Sequence, residues 1–402
     1  MASDRVTERR RERLEGSPAF LRGGFRLFFL GGAAWAVIAL LLWVLAFAGG
    51  TGLPTAFDPL AWHRHEMLFG FVGAIVAGFL LAAIPNWTSR PPIAGMPIAA
   101  LFGLWLAGRA AVLFSVQIGV LMAGLIDVLF YALFAGIAAR EVLAAQNRNL
   151  PIVALVLLFG IASTLDHLAV TGRVAGDLGS RVGISLVMLM ITLIGGRIIP
   201  AFTRNWLSKH GVSGRSPPAH THFDALMIGI TAAAFLSWIF WADANLPGLL
   251  LVGAGVLQAA RLSRWRGLST ARDPLVFVLH AGYAWVPAGQ LLLGASLLGA
   301  PIAQSAAIHA LTAGAMASMI LAVMTRATLG HTGRELKAST ATIVIYIMVN
   351  AGALLRVGAS LGLAPYLAGM EISAILWGGA FLLFIIAYGP ILLGPRVDGR
   401  PY

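Results

Sequence analysis

A ten-residue stretch, WHRHEMLFGF, places four side chains that can bind a metal or orient a metal ligand where a long apolar run begins. It spans Trp62–Phe71 and contains His63, His65, Glu66 and Met67. Imidazole nitrogen and thioether sulfur bind transition metals, and a carboxylate can orient an imidazole through its other ring nitrogen. The stretch therefore predicts a metal or cofactor site at the mouth of a membrane helix, with interfacial anchoring as the purely structural alternative.

Other histidines lie inside apolar runs, where an ionisable group costs about 2.5–3.5 kcal/mol or more unless it is paired or liganded. His309 stands among small residues at the same predicted depth as His65, near the outer face. Two imidazoles at one depth, with small residues beside a flat macrocycle, predict a haem held by His65 and His309. The further metal candidates, with copper as the second metal, are His63, Met67, His167 and His280. A hydrogen bond within the protein is the structural alternative for His309, and a packing role is the alternative for His280.

Three arginines at predicted outer helix ends would neutralise haem propionates, or would snorkel to the interface. They are Arg64, Arg109 and Arg356. Asp166 beside His167 predicts a polar pair, and Asp127 indicates a bundle interior that is not purely apolar. The sequence has no cysteine, which excludes thiolate metal sites, iron–sulfur clusters and thioether-linked haem. A haem here is therefore expected to be of the b type.

The elements that position these residues are membrane helices. The chain has 402 residues, 59% hydrophobic and only 11% charged, and its mean hydropathy is +0.85. Apolar runs of about 18 or more residues recur along it, long enough to cross a ~30 Å hydrocarbon layer. The sequence predicts an all-α polytopic membrane protein with about twelve spans. They are 25–48, 65–84, 97–113, 120–143, 150–170, 180–200, 223–241, 246–262, 275–298, 305–325, 340–361 and 368–392.

The charge distribution sets the predicted topology. Residues 1–24 form a basic amino-terminal segment, 25–392 the twelve-helix domain and 393–402 a short tail. Most arginines fall on the side of both termini, which the positive-inside rule makes cytoplasmic. This bias accounts for the formal net charge of +12, so the predicted partner is the lipid bilayer and not a nucleic acid.

Three helix ends echo one another at an interval of four spans. The second span ends Ile84-Pro85-Asn86-Trp87-Thr88, the sixth Ile199-Pro200-Ala201-Phe202-Thr203, and the tenth Val323-Met324-Thr325-Arg326. This echo indicates either a threefold quasi-repeat of four-helix units or a chance likeness of helix ends.

Several motifs together resemble the NnrS family from about Phe20 to Tyr388. They are the WHRHEMLFGF stretch, PNWT at Pro85–Thr88, GGRIIPAFT at Gly195–Thr203, HAGYAW at His280–Trp285, and LAVMTRA with GHTGR at Leu321–Arg334. The resemblance implies a protein of the bacterial inner membrane that contains haem and copper and is associated with nitric oxide, nitrosative stress and denitrification. By analogy, the placement of His65 and His309 is similar to low-spin haem ligation in haem–copper oxidases. The copper-ligand histidines of those oxidases have no counterpart in spans six and seven.

The sequence thus favours a membrane haem protein that binds, senses or detoxifies nitric oxide. Two alternatives remain open: an oxidoreductase of the nitric-oxide-reductase kind, which needs an open iron position and probably a second metal, and a transporter whose Pro- and Gly-interrupted helices act as gates.

Overall fold

The computed structural model describes residues 2–50 and 52–402, and every regular element in these ranges is a helix. An amino-terminal helix, Ala2–Gly16, precedes the membrane region. The predicted all-α polytopic fold is confirmed, because twelve described helices are long and apolar enough to cross a membrane. They are α1 Gly24–Phe47, α2 Pro59–Thr88, α3 Met96–Leu113, α4 Val120–Ala144, α5 Leu150–Val170, α6 Leu178–Lys209, α7 His222–Phe240, α8 Asn245–Ser263, α9 Pro274–Leu297, α10 Gln304–His331, α11 Thr340–Ser360 and α12 Tyr366–Leu393.

Three helices are longer than predicted from hydropathy. α2, α6 and α10 contain 30, 32 and 28 residues, and at about 1.5 Å per residue each exceeds the ~30 Å hydrocarbon layer. Their extra turns carry polar residues, which an apolar window does not detect. α2, for example, begins at Pro59 because the Asp58 carboxylate caps it, accepting bonds from two backbone N–H groups of the first turn.

Each long helix also contains a π-helical segment. The segments are Glu66–Val72, Ile191–Gly195 and Ala310–Met316, and those in α2 and α10 begin directly after His65 and His309. Hydrogen bonds that span five residues widen the helix, and such segments often mark functional positions. They recur four helices apart. The threefold quasi-repeat itself stays a prediction.

In every π-helical segment a backbone carbonyl accepts a hydrogen bond from a side chain of another helix. In α2, Tyr131 donates to Phe69 O at 2.5 Å and Trp105 to Gly70 O at 3.0 Å. Arg261 donates to Thr192 O at 2.9 Å in α6, and Trp377 donates to Ala313 O at 3.3 Å in α10. The widened turns thus act as attachment points for neighbouring helices, because buried carbonyl groups need a donor.

The helices form two compact units. Unit 1 comprises the chain up to Gly183 together with Ala327–Glu335 and Phe384–Tyr402; unit 2 comprises Ile184–Arg326 and Leu336–Leu383. Within unit 1, α1 and α4 pack against α2, whose apolar segment is 78% buried. Within unit 2, α9 and α11 pack against α10, whose apolar segment is 72% buried. The central helix of each unit therefore carries one of the two predicted haem ligands.

A glycine sets the close approach of α2 and α4. Gly73 faces Tyr131 so closely that a Cβ atom there would overlap the phenol oxygen. Tyr131 is buried and holds the Phe69 carbonyl. Small residues permit such approaches between membrane helices, where van der Waals packing drives association.

We expect Gly73→Ala to lower the melting temperature in detergent, because the new methyl group displaces Tyr131 from Phe69. Overpacking of this kind costs about 1–3 kcal/mol. Gly136→Ala, on α4, is the matched control, since a Cβ atom there meets nothing within 4 Å, and alanine is a better helix former than glycine. Equal melting temperatures for the two variants would show that α2 and α4 do not need this close approach.

Candidate metal centre

Three helices of unit 1 bring two histidines and an aspartate together. His65 comes from α2, Asp127 from α4 and His167 from α5, and one ligand atom of each lies within 4.8 Å of the other two. Asp127 Oδ2 is 3.3 Å from Nε2 of His65 and 3.3 Å from Nε2 of His167. All three side chains are buried. Sequence reasoning named both histidines as metal candidates, but only the fold shows that Asp127 joins them.

Small and aromatic residues shape the space around the cluster. A Cβ atom on Gly124 would lie 3.1 Å from the ring of His167, so glycine lets α4 and α5 meet there. The rings of Phe57 and Phe69 lie 5.1 and 5.2 Å from that of His65. These contacts exclude water from the imidazole faces, which strengthens every electrostatic interaction in the cluster.

An arginine from α3 holds the carboxylates in place. Arg109 donates one bond to Glu66 Oε2 at 2.6 Å and another to Asp127 Oδ1. Trp35 also donates to Glu66, and Ser163 donates to Asp127 Oδ2, each at 2.6 Å. Arg109 therefore fixes one oxygen of Asp127 and leaves the other facing the two imidazoles.

With both imidazoles neutral, the formal charges of this cluster do not balance. Glu66, Asp127 and Asp166 carry three negative charges, whereas Arg109 supplies one positive charge, so two negative charges are left. Buried charges are tolerated when they are paired or bind metals. A divalent cation would neutralise the cluster, as would protonation of both imidazoles.

A metal ion needs ring nitrogens that are free to bind it and ligand atoms at suitable separations. Within the described residues, neither nitrogen of His65 makes a hydrogen bond and Nδ1 of His167 makes none either, whereas Nε2 of His167 is hydrogen-bonded to Asp127 Oδ2 at 3.3 Å. Metal bonds of about 2.0–2.2 Å bring neighbouring ligand atoms to roughly 3–4 Å from one another, close to the 3.3 Å separations seen here. Two imidazoles and one carboxylate form a donor set for iron, zinc, manganese or copper. The residues present fit a compact transition-metal ion.

A fourth group points at His65 from the other side. Asp166 Oδ2 lies 3.4 Å from Nδ1 of His65, so the predicted pairing of Asp166 with the adjacent His167 is replaced by a contact across helices. A carboxylate that faces the second nitrogen of a metal-binding imidazole fixes its tautomer and raises its basicity. Asp166 has this position relative to His65.

The other candidates near His65 lie outside this three-residue cluster. His63 is half-buried and stacks on Trp43, with ring centroids 4.3 Å apart. Met67 is half-buried within the π-helical segment. Arg64 donates to the carbonyl of Gly176 at 2.8 Å. Their predicted metal and propionate contacts stay predictions.

Arg109 has partners other than the predicted haem propionate. Its guanidinium, 2% exposed, bonds two carboxylates of the chain itself. The structure thus supplies a reason for a buried arginine in α3 that needs no cofactor.

Unit 2 contains the remaining candidates. His309 Nδ1 lies 2.7 Å from the carbonyl of Ser305, one turn earlier in α10, which leaves Nε2 as the nitrogen with a lone pair. Arg356 on α11 donates to Ser360. His280 Nε2 bonds Thr203 Oγ1 at 2.9 Å. Since His65 and His309 belong to different units, their joint ligation of one haem stays a prediction.

The fold and the cluster define a class: an all-helical, multi-pass membrane protein with a buried centre of histidines and carboxylates. The chain matches the family model described as NnrS protein over residues 19–396, and it therefore belongs to the NnrS family. Membership associates it with nitric oxide in general. No curated protein matches the chain significantly.

We expect Arg109→Ala to destabilise the protein strongly, because it leaves Glu66 and Asp127 buried without their cation. Breaking a buried ion pair on one side costs about 3–5 kcal/mol. Thermal unfolding in detergent measures this, with Arg173→Gln, an exposed loop arginine, as the charge-matched control. Adding Glu66→Gln to Arg109→Ala should restore part of the loss; a double variant no more stable than Arg109→Ala contradicts the pairing.

Proposed function

We propose that the protein is a metalloprotein of the bacterial cytoplasmic membrane that binds nitric oxide or a related small molecule at a transition-metal ion. The observation that carries the proposal is the cluster of His65, His167 and Asp127. It brings the unbonded nitrogens of His65, the Nε2 of His167 and a carboxylate oxygen within 4.8 Å of one another, and with both imidazoles neutral the cluster carries two surplus negative charges. A metal ion with an open coordination position supplies the binding chemistry for such a ligand.

Each side chain has a defined task in this proposal. His65 and His167 offer Nε2 and Asp127 offers Oδ2, and Asp166 Oδ2 faces Nδ1 of His65 at 3.4 Å. Arg109 orients Asp127 by donating a hydrogen bond to its other oxygen. The ligands are thus preorganised by the protein, which reduces the rearrangement that metal binding requires.

The surroundings of the cluster favour a small uncharged ligand. The imidazole of His65 has no exposed surface, and Phe57 and Phe69 flank it. An ion or a large polar substrate would lose its hydration there without compensation. Nitric oxide is small and uncharged, so it reaches a site within apolar helices at little cost.

A b-type haem remains a second candidate, favoured by His309. Its Nδ1 is anchored on Ser305 and its Nε2 carries the lone pair, as an axial ligand requires. Ala306 and Ala310, three residues before it and one after it, are small, and small residues let neighbouring groups approach a membrane helix closely. At His65, by contrast, the nearby Asp127 and Asp166 carboxylates suit a compact ion better than a macrocycle.

We also propose that both termini face the cytoplasm. The amino-terminal helix contains a run of basic residues, including Arg9, Arg10 and Arg11, and the tail contains Arg396 and Arg400. Basic residues are retained on the cytoplasmic side of bacterial membranes.

Metal analysis of the purified protein tests the metal centre. We expect about one transition-metal ion per chain, lost in His65→Ala and His167→Ala and kept in His210→Ala, whose histidine is exposed and stacks on Trp206. Asp166→Asn should weaken metal affinity by about 10–100-fold, as loss of a carboxylate behind a ligating imidazole does. Retention of the full metal content in a His65→Ala/His167→Ala double variant would refute the site.

Spectra before and after addition of nitric oxide test the ligand. A signal of the metal that shifts with nitric oxide in the wild type and is absent in His167→Ala supports the proposal. A haemochrome assay on the same samples separates the second candidate, since haem that disappears in His309→Ala but persists in His167→Ala belongs to His309. Metal bound at full occupancy that does not respond to nitric oxide, but crosses the membrane of sealed vesicles, would indicate a transporter instead.

A further inference from the structure

A second unbalanced charge cluster lies in unit 1, at the end of α4. Glu141, 2% exposed, stands in the last turn of that helix. Arg10 bonds it through both terminal nitrogens, at 2.8 and 2.7 Å. Arg140 bonds it through Nε at 3.0 Å and Nη2 at 2.9 Å, and Arg90 through Nε at 3.2 Å. One carboxylate therefore gathers three guanidinium groups.

The surplus here is two positive charges. Glu141 neutralises one arginine, and within the described side chains no other carboxylate bonds Arg10, Arg90 or Arg140. Arg90 uses only Nε and keeps both terminal nitrogens, and the side chain of Arg140 is 61% exposed. Like charges held this close repel one another. The two terminal nitrogens of Arg90 and Nη1 of Arg140 make none of these bonds to Glu141, so they are available as donors to a phosphate.

The amino-terminal helix that carries Arg10 also lines an apolar groove. It has a volume of about 840 Å³ and runs between the amino-terminal helix and the start of α3, lined by Arg13, Ser17, Leu21, Met96, Pro97 and Ala100 among others. Arg13 follows Arg10 by three residues on the same helix, so the groove opens about one helical turn from the charge cluster. Met96, at its edge, is 73% exposed.

We propose that this region is a binding site for one anionic phospholipid, with the phosphate on Arg90 and Arg140 and an acyl chain in the groove. Three features support a lipid. Arg90 and Arg140 stand at the ends of membrane-spanning helices, and their charge is complementary to a phosphate. The apolar groove opens about one helical turn from this charge cluster. Basic pockets on the predicted cytoplasmic side of membrane helices recognise anionic headgroups in this way.

The lipid also has a structural role in this arrangement. Arg10 belongs to the amino-terminal helix, whereas Arg90 and Arg140 belong to the membrane bundle, and Glu141 alone joins them. A phosphate on Arg90 and Arg140 removes their repulsion of Arg10. Bound lipid should therefore hold the amino-terminal helix against the bundle, because a ligand that binds only the folded form stabilises it.

The full-length protein, delipidated in detergent and titrated with phosphatidylglycerol, tests the proposal. We expect native mass spectrometry to detect one retained phosphatidylglycerol and thermal unfolding to show a rise in melting temperature. Arg90→Gln/Arg140→Gln should weaken the retention about 30-fold, since each basic residue near an anionic headgroup contributes about 1 kcal/mol. This variant keeps the bond of Arg10 to Glu141, so it preserves that contact between the amino-terminal helix and α4.

A control variant and two control ligands show whether the stabilisation comes from recognition of an anionic lipid. Arg215→Gln/Arg272→Gln removes two exposed arginines on the side that the charge distribution predicts to be the same one, and it should retain lipid like the wild type. Phosphatidylcholine that stabilises as strongly would overturn the proposal, because it would show that the headgroup charge is not recognised. An equal rise with inorganic phosphate alone would also overturn it, since the site would then bind a free anion.

Discussion

The guanidinium of Arg109 between Glu66 and Asp127 is the interaction on which the centre of unit 1 depends. It joins three helices, α2, α3 and α4, in surroundings where an unpaired carboxylate would be very costly. It also decides which oxygen of Asp127 is free to face the imidazoles. Stability and chemistry therefore rest on the same two bonds, and the cluster of His65, Asp127 and His167 cannot be separated from the packing of its helices.

The sum of formal charges on the buried side chains differs between clusters that favour a bound ligand and clusters that do not. Unit 2 has its own buried arginine, Arg261, which bonds one carboxylate, Asp224, together with the hydroxyl of Tyr283. That pair is neutral and its hydrogen bonds are satisfied, so it needs nothing from outside the chain. With neutral imidazoles, the cluster of His65, Asp127 and His167, together with Glu66, Asp166 and Arg109, has two surplus negative charges, and among the described side chains the Glu141 cluster has two surplus positive charges. Each surplus favours a ligand of opposite sign.

The π-helical segments link the position of the charged clusters to the packing of the helices. A helix widened after His65 presents the carbonyls of Phe69 and Gly70 to donors on neighbouring helices. Those bonds, with the close approach at Gly73, hold α2 at the centre of unit 1 and so keep His65 in place. The same device recurs in α6 and α10, where Thr192 and Ala313 accept from side chains.

The sequence alone determined the helical architecture, because apolar runs of sufficient length have one stable form in a bilayer. It determined the spans to within about two residues, except in α2, α6 and α10, whose polar ends extend beyond the apolar window. It also identified His65 and His167 as candidate metal ligands, since the sequence alone shows an ionisable residue within an apolar run. Their meeting with Asp127, and the bonds of Arg109, were decided by the tertiary structure. Asp127 lies 62 positions from His65 in the chain, and only the packing of α2, α4 and α5 sets which faces of those helices meet.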